Sequence, residues 1–280
     1  MSTRRCSLIC RLPPTPSNQR LLAALAGCGL DADALHPAAL EPRVAPRADG
    51  LFLCRLPSGT PAAWLLPLQL AERGGRRFLN RPSALALAHD KPAALAHLAQ
   101  AGLPVPPTLC IVRDGACDLS ALPGELFVVK PAAGASGHGV TVGLDRATAA
   151  ACAAAFADAS GPVLVQPQLG EGRDRRLFLV GHRLVAAMER RPAPRDGRGN
   201  LGYGAQAVAI QPEPEETRLA LAAAAALGLD VAAVDLLVHA GRALLLEVNS
   251  APGLLGIERA TGVDVAGAIA AFAADRLEAV

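Results

Sequence analysis

Two apolar stretches near the C-terminus constrain the fold most, because together they predict a β-hairpin. Val234–His239 and Ala243–Val248 flank Ala240-Gly241-Arg242, which favours a three-residue loop with its glycine in the left-handed position. Counting outward from such a loop places Asp235 directly opposite Glu247. A two-residue loop would instead send these two carboxylates to opposite faces of the hairpin.

The polar residues of this predicted hairpin suit a divalent cation. Paired residues hold their Cβ atoms roughly 4.5–5.5 Å apart, and Asn249, two residues beyond Glu247, falls on the same face. Facing carboxylates destabilise an aliphatic hairpin unless a cation lies between them, and all-oxygen ligands suit Mg²⁺ or Mn²⁺. Asp235, Glu247 and Asn249 are therefore candidate metal ligands. The alternative is three solvent-facing polar residues on an edge hairpin.

The overall composition indicates an ordered globular protein. The 280 residues are 51% hydrophobic and 19% charged, with a net charge of +2, and only 3% are aromatic, which gives little support to nucleic-acid binding. The seven cysteines contain no Cys-x-x-Cys pair, as expected for buried thiols in a reducing compartment. No stretch reaches the roughly 18 uninterrupted apolar residues of a membrane span. We therefore expect a cytoplasmic protein that does not enter membranes.

The order of the predicted elements indicates an α+β fold in three parts. Residues 1–78 contain a strand, a helix and a second strand, which favour a small α/β domain. Residues 79–160 contain a helix and two strands with a glycine-rich turn, and residues 161–280 contain further strands, a helix, the hairpin and a closing helix. Because strands and helices do not alternate strictly, we expect α+β subdomains around a cleft.

A glycine-rich turn follows the strand predicted at Leu126–Val129. It runs from Lys130 through Gly134, Gly137 and Gly139, and strand character resumes at Val140. Such glycines let backbone N–H groups approach an anion, as phosphate-binding loops require. The spacing fits neither a P-loop nor a dinucleotide-binding fingerprint. The pattern predicts a glycine flap between two strands, and a plain glycine-rich turn is the alternative.

Several basic residues are candidates for holding anions. Lys91 begins a predicted helix, where a cation opposes the helix dipole unless an anion balances it. Arginines cluster at residues 173–176 and 190–198, and guanidinium groups match carboxylates and phosphates in geometry. Solvated surface charge is the alternative for Lys91 and for most of these arginines.

In their order along the chain, these motifs resemble ATP-grasp ligases. They are most similar to the RimK branch, the ATP-dependent ligases that add glutamate or a similar amino acid to a carboxylate. The resemblance is strong from about residue 79 to the C-terminus, especially over Glu247–Ala266, and weak over the first 78 residues. The motifs that carry it are Asp90-Lys91, Leu103–Thr108, Lys130-Pro131 with Gly134, Gly137 and Gly139, Asp174-x-Arg176, Ala186–Arg190, Arg198-x-Asn200, Leu227–Leu229, Val234-Asp235, Glu247–Asn249 and Pro252-Gly253.

The resemblance implies an ATP-grasp fold, in which two α+β subdomains clasp ATP, preceded by a small α/β N-terminal domain. Lys91 and Lys130 would hold the ATP phosphates, and the glycine flap would close over them. Mg²⁺ or Mn²⁺ would bind the three residues of the hairpin. The other residues implied to contact the nucleotide are Gln166, Gln168, Asp174, Arg198 and Asn200.

The resemblance also implies the reaction. A carboxylate attacks the γ-phosphorus of ATP to give an acyl phosphate and ADP, and an amine then displaces phosphate to form an amide. Arg176 and Arg190 are candidates for stabilising the charge of the tetrahedral adduct. We expect glutamate as the amine, because acidic substrates fit the arginine-rich loop, and a protein C-terminus or a small cofactor acid as the acceptor. The branch further suggests a homo-oligomer.

Two departures from the branch affect these expectations. Pro167 stands where the linker usually has an acidic residue, so one backbone donor is lost and Gln168 becomes the expected adenine contact. Gly202-Tyr203 stands where the branch often has an arginine or histidine pair, which leaves substrate choice open. The alternatives are a non-catalytic ATP-binding regulatory module and a D-alanine–D-alanine-type ligase.

Overall fold

The residues that the structure describes form three β-sheets covered by helices. The computed structural model describes residues 4–40, 50–112, 117–134, 138–170, 173–191 and 206–278. Within those ranges, no helix is both long and apolar enough to cross a membrane. The mixture of parallel and antiparallel sheets with packed helices confirms the predicted α+β class.

The N-terminal sheet is parallel, and its strand order is β2-β1-β3-β4. Its strands are β1 (Arg5–Ile9), β2 (Asp31–Leu35), β3 (Leu51–Cys54) and β4 (Phe78–Leu79), and its helices are α1 (Pro16–Gly27) and α2 (Ala62–Arg73). Every residue of β3 is buried, as is usual for parallel strands covered on both faces. Two further helices, α3 (Pro82–His89) and α4 (Lys91–Gln100), lead out of this sheet.

The central sheet is antiparallel, with strand order β5-β8-β6-β7. Its elements are β5 (Leu109–Ile111), β6 (Leu126–Pro131), β7 (Thr141–Asp145), α5 (Arg146–Ser160) and β8 (Val163–Pro167). The strands β6 and β7 flank the glycine-rich turn and pair with each other, so the predicted position of the flap between two strands is confirmed. Since β8 also pairs with β6, we propose that the second domain boundary lies after residue 167 instead of after residue 160.

The C-terminal sheet is antiparallel, with strand order β11-β10-β9-β12-β13. Its strands are β9 (Asp174–Val180), β10 (Arg183–Arg191), β11 (Gln206–Ala209), β12 (Val231–His239) and β13 (Arg242–Asn249). Its helices are α6 (Pro214–Ala226), α7 (Leu255–Thr261) and α8 (Val265–Glu278). The predicted C-terminal hairpin is therefore formed by β12 and β13, at one edge of the sheet.

Alternation along β9 and β12 gives this sheet two different faces. Leu177, Val234 and Leu236 lie in a core cluster that includes the buried residues of α6. On the other face, Phe178 and Ala233 are buried in a second cluster with residues of α1 and α8. Further along that second face the side chains become polar, starting at Arg176 and Asp235. Apolar packing thus anchors one end of the face, and its other end borders a cavity.

Candidate functional site

A cavity of about 580 Å³ lies between the central and C-terminal sheets. This volume is within the range of small-molecule and cofactor pockets. Residues of β6, β7 and β8 line it from the central sheet, and residues of the N-terminal domain also contribute to its wall. Most of the described residues that the sequence predicted for the site line this cavity, namely Lys91, Lys130, Gln166, Gln168, Asp174, Arg176, Arg190, Asp235, Glu247 and Asn249.

The hairpin places Asp235 opposite Glu247, but its loop differs from the prediction. His239 pairs with Arg242, so the loop has two residues, Ala240 and Gly241, both with positive φ. A two-residue loop alone would put the two carboxylates on opposite faces. The register shifts by one residue next to Asp235, and this bulge restores its pairing with Glu247. The predicted three-residue loop was wrong, and the predicted facing of the carboxylates is found for a different reason.

The bulge also exposes an additional side chain to the cavity. Leu246 is the unpaired residue of the bulge, and both Leu246 and Glu247 line the cavity wall. A regular strand would turn two successive side chains to opposite faces. The bulge therefore places the apolar side chain of Leu246 and the carboxylate of Glu247 next to each other in the cavity wall.

Two carboxylates and two guanidinium groups form a buried cluster on the same face, which we call the paired cluster: Asp174, Arg176, Arg190 and Asp235. Arg176 donates from Nε and Nη2 to the two carboxylate oxygens of Asp235, at 2.7 Å each. Arg190 lies 2.9 Å from Asp235 Oδ2 and donates from Nε to Asp174 Oδ1 at 2.5 Å. The side chains of Arg190 and Asp235 are only 5% and 7% exposed. Each charge in the cluster thus has an opposite charge in direct contact.

The pKa values of the two carboxyl groups in this cluster shift in opposite directions. Burial would raise the pKa of Asp235, but Arg176 and Arg190 together hold it down at about 2. Burial raises the pKa of Asp174 to about 6; Arg190 opposes this rise and the charge of Asp235 adds to it. Asp235 is therefore the firmly ionised member of the cluster, and it holds both arginines in place.

The predicted metal ligands are together on one face, but they differ in availability. Glu247 and Asn249 are half-buried and line the cavity, whereas both oxygens of Asp235 are engaged by arginines. Asn249 donates from Nδ2 to Asp235 Oδ2 at 3.4 Å, which leaves its own amide oxygen for another partner. In the described ranges, no group of three or more His, Cys, Asp and Glu side chains could hold a metal ion.

This arrangement fits Mg²⁺ with two protein ligands. Mg²⁺ usually takes one or two carboxylates and completes its octahedron with water and phosphate oxygens. Glu247 and Asn249, two residues apart on β13, could supply one carboxylate and one amide oxygen. Ligation by Asp235 would require one of its arginine contacts to open.

Two lysines face the same cavity from the opposite side. Lys91 begins α4 with Asp90 as its N-cap, as predicted, and donates from Nζ to the carbonyl of Gly134 at 2.9 Å. Lys130 lies at the end of β6, where burial lowers its pKa to about 8; Glu247 opposes this shift and Lys91 adds to it. The ammonium group of Lys130 has no hydrogen bond or salt bridge to another described residue. Both lysines are placed to meet an anion in the cavity.

The glycine flap requires glycine at specific positions. Gly134 has φ 130° and Gly139 has φ 74°, values that favour glycine. A Cβ atom at Gly139 would lie 2.8 Å from Cγ of Pro131, so the turn could not keep its path with a larger residue. Gly137 lies outside the described residues, as do Arg198 and Asn200.

The predicted adenine contacts are in the cavity wall, but their polar groups are already engaged. Gln166 donates from Nε2 to the hydroxyl of Thr108 at 2.8 Å and is buried. The N–H of Gln168 donates to the carbonyl of Leu126 at 2.8 Å, and its side-chain oxygen accepts from the N–H of Gly143 at 2.6 Å. The backbone N–H of Gln168 is thus used by the sheet, and its role as the adenine contact stays a prediction for its other polar groups.

Sequence reasoning missed two groups of cavity residues. The first is apolar: Val128, Val140, Val142, Leu237 and Leu246. The second comes from the N-terminal domain and α3: Ser17, Pro57, Ser58 and His89. Alternation along β6 and β7 could have indicated part of the first group. Nothing local in the sequence marks the second group, whose members reach the cavity only through contacts between distant segments. The sequence did single out Pro252-Gly253, which also line the cavity, but gave them no role.

Comparison with known proteins identifies relatives for most of the chain. The family model described as the RimK-like ATP-grasp domain matches residues 88–273. A probable alpha-L-glutamate ligase of Enterobacter sp. (strain 638) is 37% identical over 204 residues, which are 71% of this chain and 68% of the relative. The ribosomal protein bS6–L-glutamate ligase of Escherichia fergusonii is 40% identical over 204 residues, with the same two shares.

A solved structure extends the similarity across the N-terminal domain. The RimK domain ATP-grasp protein of Sphaerobacter thermophilus DSM 20745 superposes with a TM-score of 0.72 at 25% identity. The alignment covers 96% of this chain and 99% of that one. The predicted ATP-grasp fold, with a small domain in front of it, is therefore confirmed.

Proposed function

The chain belongs to the RimK-like ATP-grasp family, and from that membership we propose that it adds L-glutamate to the carboxylate of a protein tail or small acid. It is an ATP-dependent carboxylate–amine ligase. Two relatives named for L-glutamate support glutamate as the amine. The name of one relative includes a ribosomal protein, which supports a protein as the acceptor.

The meeting of opposite charges in one cavity carries this proposal. Lys91 and Lys130 come from the central part of the chain, and Glu247 and Asn249 come from the hairpin. A triphosphate with its cation needs both kinds of group, since the lysines balance phosphate oxygens and the hairpin oxygens suit Mg²⁺. We assign Lys91, Lys130, Gly134 and Gly139 to the phosphates, and Glu247 and Asn249 to the metal.

The remaining charged residues suit the second half of the reaction. The negative charge that develops when an amine attacks an acyl phosphate needs positive groups that are already oriented. Arg176 and Arg190 are oriented by Asp235 and Asp174 before any ligand enters. Bound Mg²⁺ would neutralise phosphate charge during the first half. We assign Arg176 and Arg190 to the later step.

An ADP-release assay tests this function. The purified protein is incubated with ATP, Mg²⁺ and L-glutamate, and with a peptide that ends in glutamate, tetra-L-glutamate or a pterin-linked acid as the acceptor. We expect ADP release that depends on both L-glutamate and an acceptor, and a product heavier by one glutamyl residue in mass spectrometry. A product formed only with D-alanine would assign the chain to a different ligase reaction.

Two controls separate ligation from simple ATP hydrolysis. Omitting the acceptor measures ADP release that forms no amide, and omitting L-glutamate measures any trapping of the activated acid. The Glu247→Gln variant measures background from contaminating ATPases. ADP release that is equal in all mixtures and forms no product would contradict the proposed ligase activity.

A further inference from the structure

Three side chains from the first 80 residues bind the backbone that directly follows β13. We call this backbone the 250–254 segment. Asn80 donates to the carbonyl of Ser250 at 3.0 Å, and Arg55 donates from Nη2 to the carbonyl of Pro252 at 2.5 Å. The hydroxyl of Ser17 accepts the N–H of Leu254 at 3.1 Å. Ser250, Pro252 and Leu254 are therefore each held by a side chain that lies outside the C-terminal sheet.

The 250–254 segment forms one wall of the cavity, next to Asn249. Ala251, Pro252 and Gly253 line the cavity together with Ser17 and Ser58 of the N-terminal part. The segment continues directly from Asn249, so it lies beside the proposed metal site. We take the part of the cavity along this segment as the place of the second substrate.

Arg55 is the unusual member of the three. Its side chain is buried, with the residue only 6% exposed, and its Nε donates to Asn18 Oδ1 at 3.4 Å. Its Nη1 has no hydrogen-bond partner, and no carboxylate of a described residue forms a salt bridge with it. Burial lowers its pKa to about 10, so the group remains charged at neutral pH.

A buried guanidinium without a counter-ion is a cost to folding. An apolar side chain of similar size would fill the same space without desolvating a charge. Stability alone therefore does not account for arginine at this position. Residues that break the rules of core packing are expected at functional sites.

The position of Arg55 at the end of a strand of the N-terminal sheet also indicates a functional role. Arg55 directly follows β3, and α1 follows β1, which is the neighbour of β3. The chain goes from β1 to β2 on one side and then returns to β3 on the other side of β1. In open α/β sheets, ligands bind outside the carboxyl ends of the strands where the order reverses in this way.

We propose that Arg55 is a positioning residue for the acceptor: by holding the carbonyl of Pro252, it fixes the 250–254 segment as the wall against which the acceptor carboxylate lies. This inference rests on the proposed function, because it takes the acceptor to occupy the part of the cavity along the 250–254 segment. Ser17 supports the same segment at Leu254. The N-terminal domain thereby contributes to acceptor binding through the backbone it holds.

Steady-state kinetics of Arg55→Met test the inference. The assay follows ADP release with ATP, L-glutamate and tetra-L-glutamate as the carboxylate acceptor. We expect KM for tetra-L-glutamate to rise about tenfold or more, which corresponds to the loss of one charged hydrogen bond. KM for ATP should stay within about twofold. Equal rises in both KM values, or unchanged KM values, would overturn the proposal.

Arg146→Met is a matched control, because Arg146 also holds backbone carbonyls. Arg146 donates to the carbonyls of Leu119, Leu122 and Gly124, which do not line the cavity. We expect this variant to lose stability while the KM for tetra-L-glutamate stays at the wild-type value. Ser17→Ala provides a second variant of the proposed wall, and it should raise the same KM by a smaller factor. An unchanged KM in Ser17→Ala and Arg55→Lys alike would also overturn the proposal.

Hydrogen exchange distinguishes failure of this inference from failure of the proposed function. If the wild type does not turn over tetra-L-glutamate, the acceptor assigned under the proposed function is wrong, yet the backbone can still be examined. We expect the amide of Leu254 and its neighbours to exchange faster in Arg55→Met than in the wild type, while amides of β12 remain protected. Equal exchange of the 250–254 segment in both proteins would overturn the positioning role.

Discussion

The paired cluster and the residues beside it border the same cavity but differ in how their charges are satisfied. In the paired cluster, Asp235 accepts from two arginines and Asp174 accepts from one. The neighbouring Lys130, Glu247 and Asn249, which we call the open group, are half-buried. The side chains of Lys130 and Glu247 make no hydrogen bond or salt bridge with another described residue. Both regions carry charged side chains, but only in the paired cluster is each charge in direct contact with an opposite charge.

This difference indicates that the paired cluster maintains the structure of the site, whereas the open group is available to bind a ligand. A buried carboxylate with matched guanidinium forks keeps its geometry whether or not a ligand is present, because leaving either partner alone is costly. A partly desolvated lysine and carboxylate without partners can each receive an opposite charge from a ligand. We therefore expect variants of the paired cluster to lose stability and activity together. Variants of the open group should lose activity and keep the fold.

Glu247→Gln should have the largest effect, and it tests the open group directly. We expect kcat/KM for ATP to fall by at least ~100-fold, since the change removes the accessible carboxylate of the proposed metal site. The thermal midpoint should stay within about 2 °C of the wild type, because no hydrogen bond is lost. ADP release and differential scanning fluorimetry measure the two quantities.

Glu189→Gln is the matched control for this variant. Glu189 lies on β10 in the same sheet, pairs with Arg191 at 2.7 Å, and does not line the cavity. Turnover of Glu189→Gln should be close to that of the wild type. If Glu247→Gln retained wild-type turnover, the assignment of the metal site to the hairpin would be wrong.

Asp235→Asn should instead lose stability, although Asp235 faces Glu247 across the hairpin. The change leaves Arg176 and Arg190 without their shared carboxylate in a buried place. Breaking a buried ion pair costs about 3–5 kcal/mol, so the thermal midpoint should fall by roughly 10 °C. Thermal melts of Asp235→Asn and Glu247→Gln, measured side by side, check this contrast. Similar midpoints for the two variants would remove the distinction between the two regions.

The hairpin shows how much of the site could be predicted from the sequence. Alternation and spacing placed Asp235, Glu247 and Asn249 on one face, and the structure has them there. The predicted loop was one residue too long, and a bulge at Leu246 compensates for that difference. The run of three leucines before Glu247 hides the bulge, because a shift of register within uniform apolar residues leaves no trace in the pattern.

The paired cluster could not be predicted in the same way. Arg176 and Asp235 are 59 residues apart, and they meet because β9 and β12 are neighbours in the sheet. Composition and local spacing carry no information about which strands become neighbours. The contacts of Arg55 and Asn80 with the 250–254 segment join parts of the chain even further apart. The family resemblance identified most of these residues, but it did not identify their partners.

Lys130→Met tests the other charge of the open group, with a smaller expected effect on activity. We expect kcat/KM for ATP to fall about 100-fold, as for other single groups that stabilise a transferring phosphoryl group. The free energy of unfolding at neutral pH should be equal or higher, because burial disfavours the ammonium and no hydrogen bond with a described residue is lost. ADP kinetics and urea unfolding provide the measurements. A destabilised Lys130→Met protein would place Lys130 with the paired cluster.

We expect the smallest effect on stability from His89. This prediction extends the comparison to a polar group of the same cavity that belongs to neither region. Its Nε2 lies 3.1 Å from the carbonyl of Leu56 and must donate to it, while its buried Nδ1 has no partner in the described ranges. Burial lowers the pKa of His89, and the bond to Leu56 opposes that shift only in part. Below about pH 6.5 the unfolded chain therefore binds more protons than the folded one, so stability falls as pH falls.

His89→Gln isolates this contribution, because glutamine retains an N–H donor for the carbonyl of Leu56 but does not titrate. Urea unfolding at about pH 7 and about pH 5.5 should show a smaller loss of stability in the variant than in the wild type. The difference cannot exceed about 1.4 kcal/mol per pH unit, the limit for one proton. Parallel losses in both proteins would show that the imidazole is solvated or has a partner when protonated. In that case a missing hydrogen-bond partner would indicate ligand binding at Lys130 and Glu247 but not at His89.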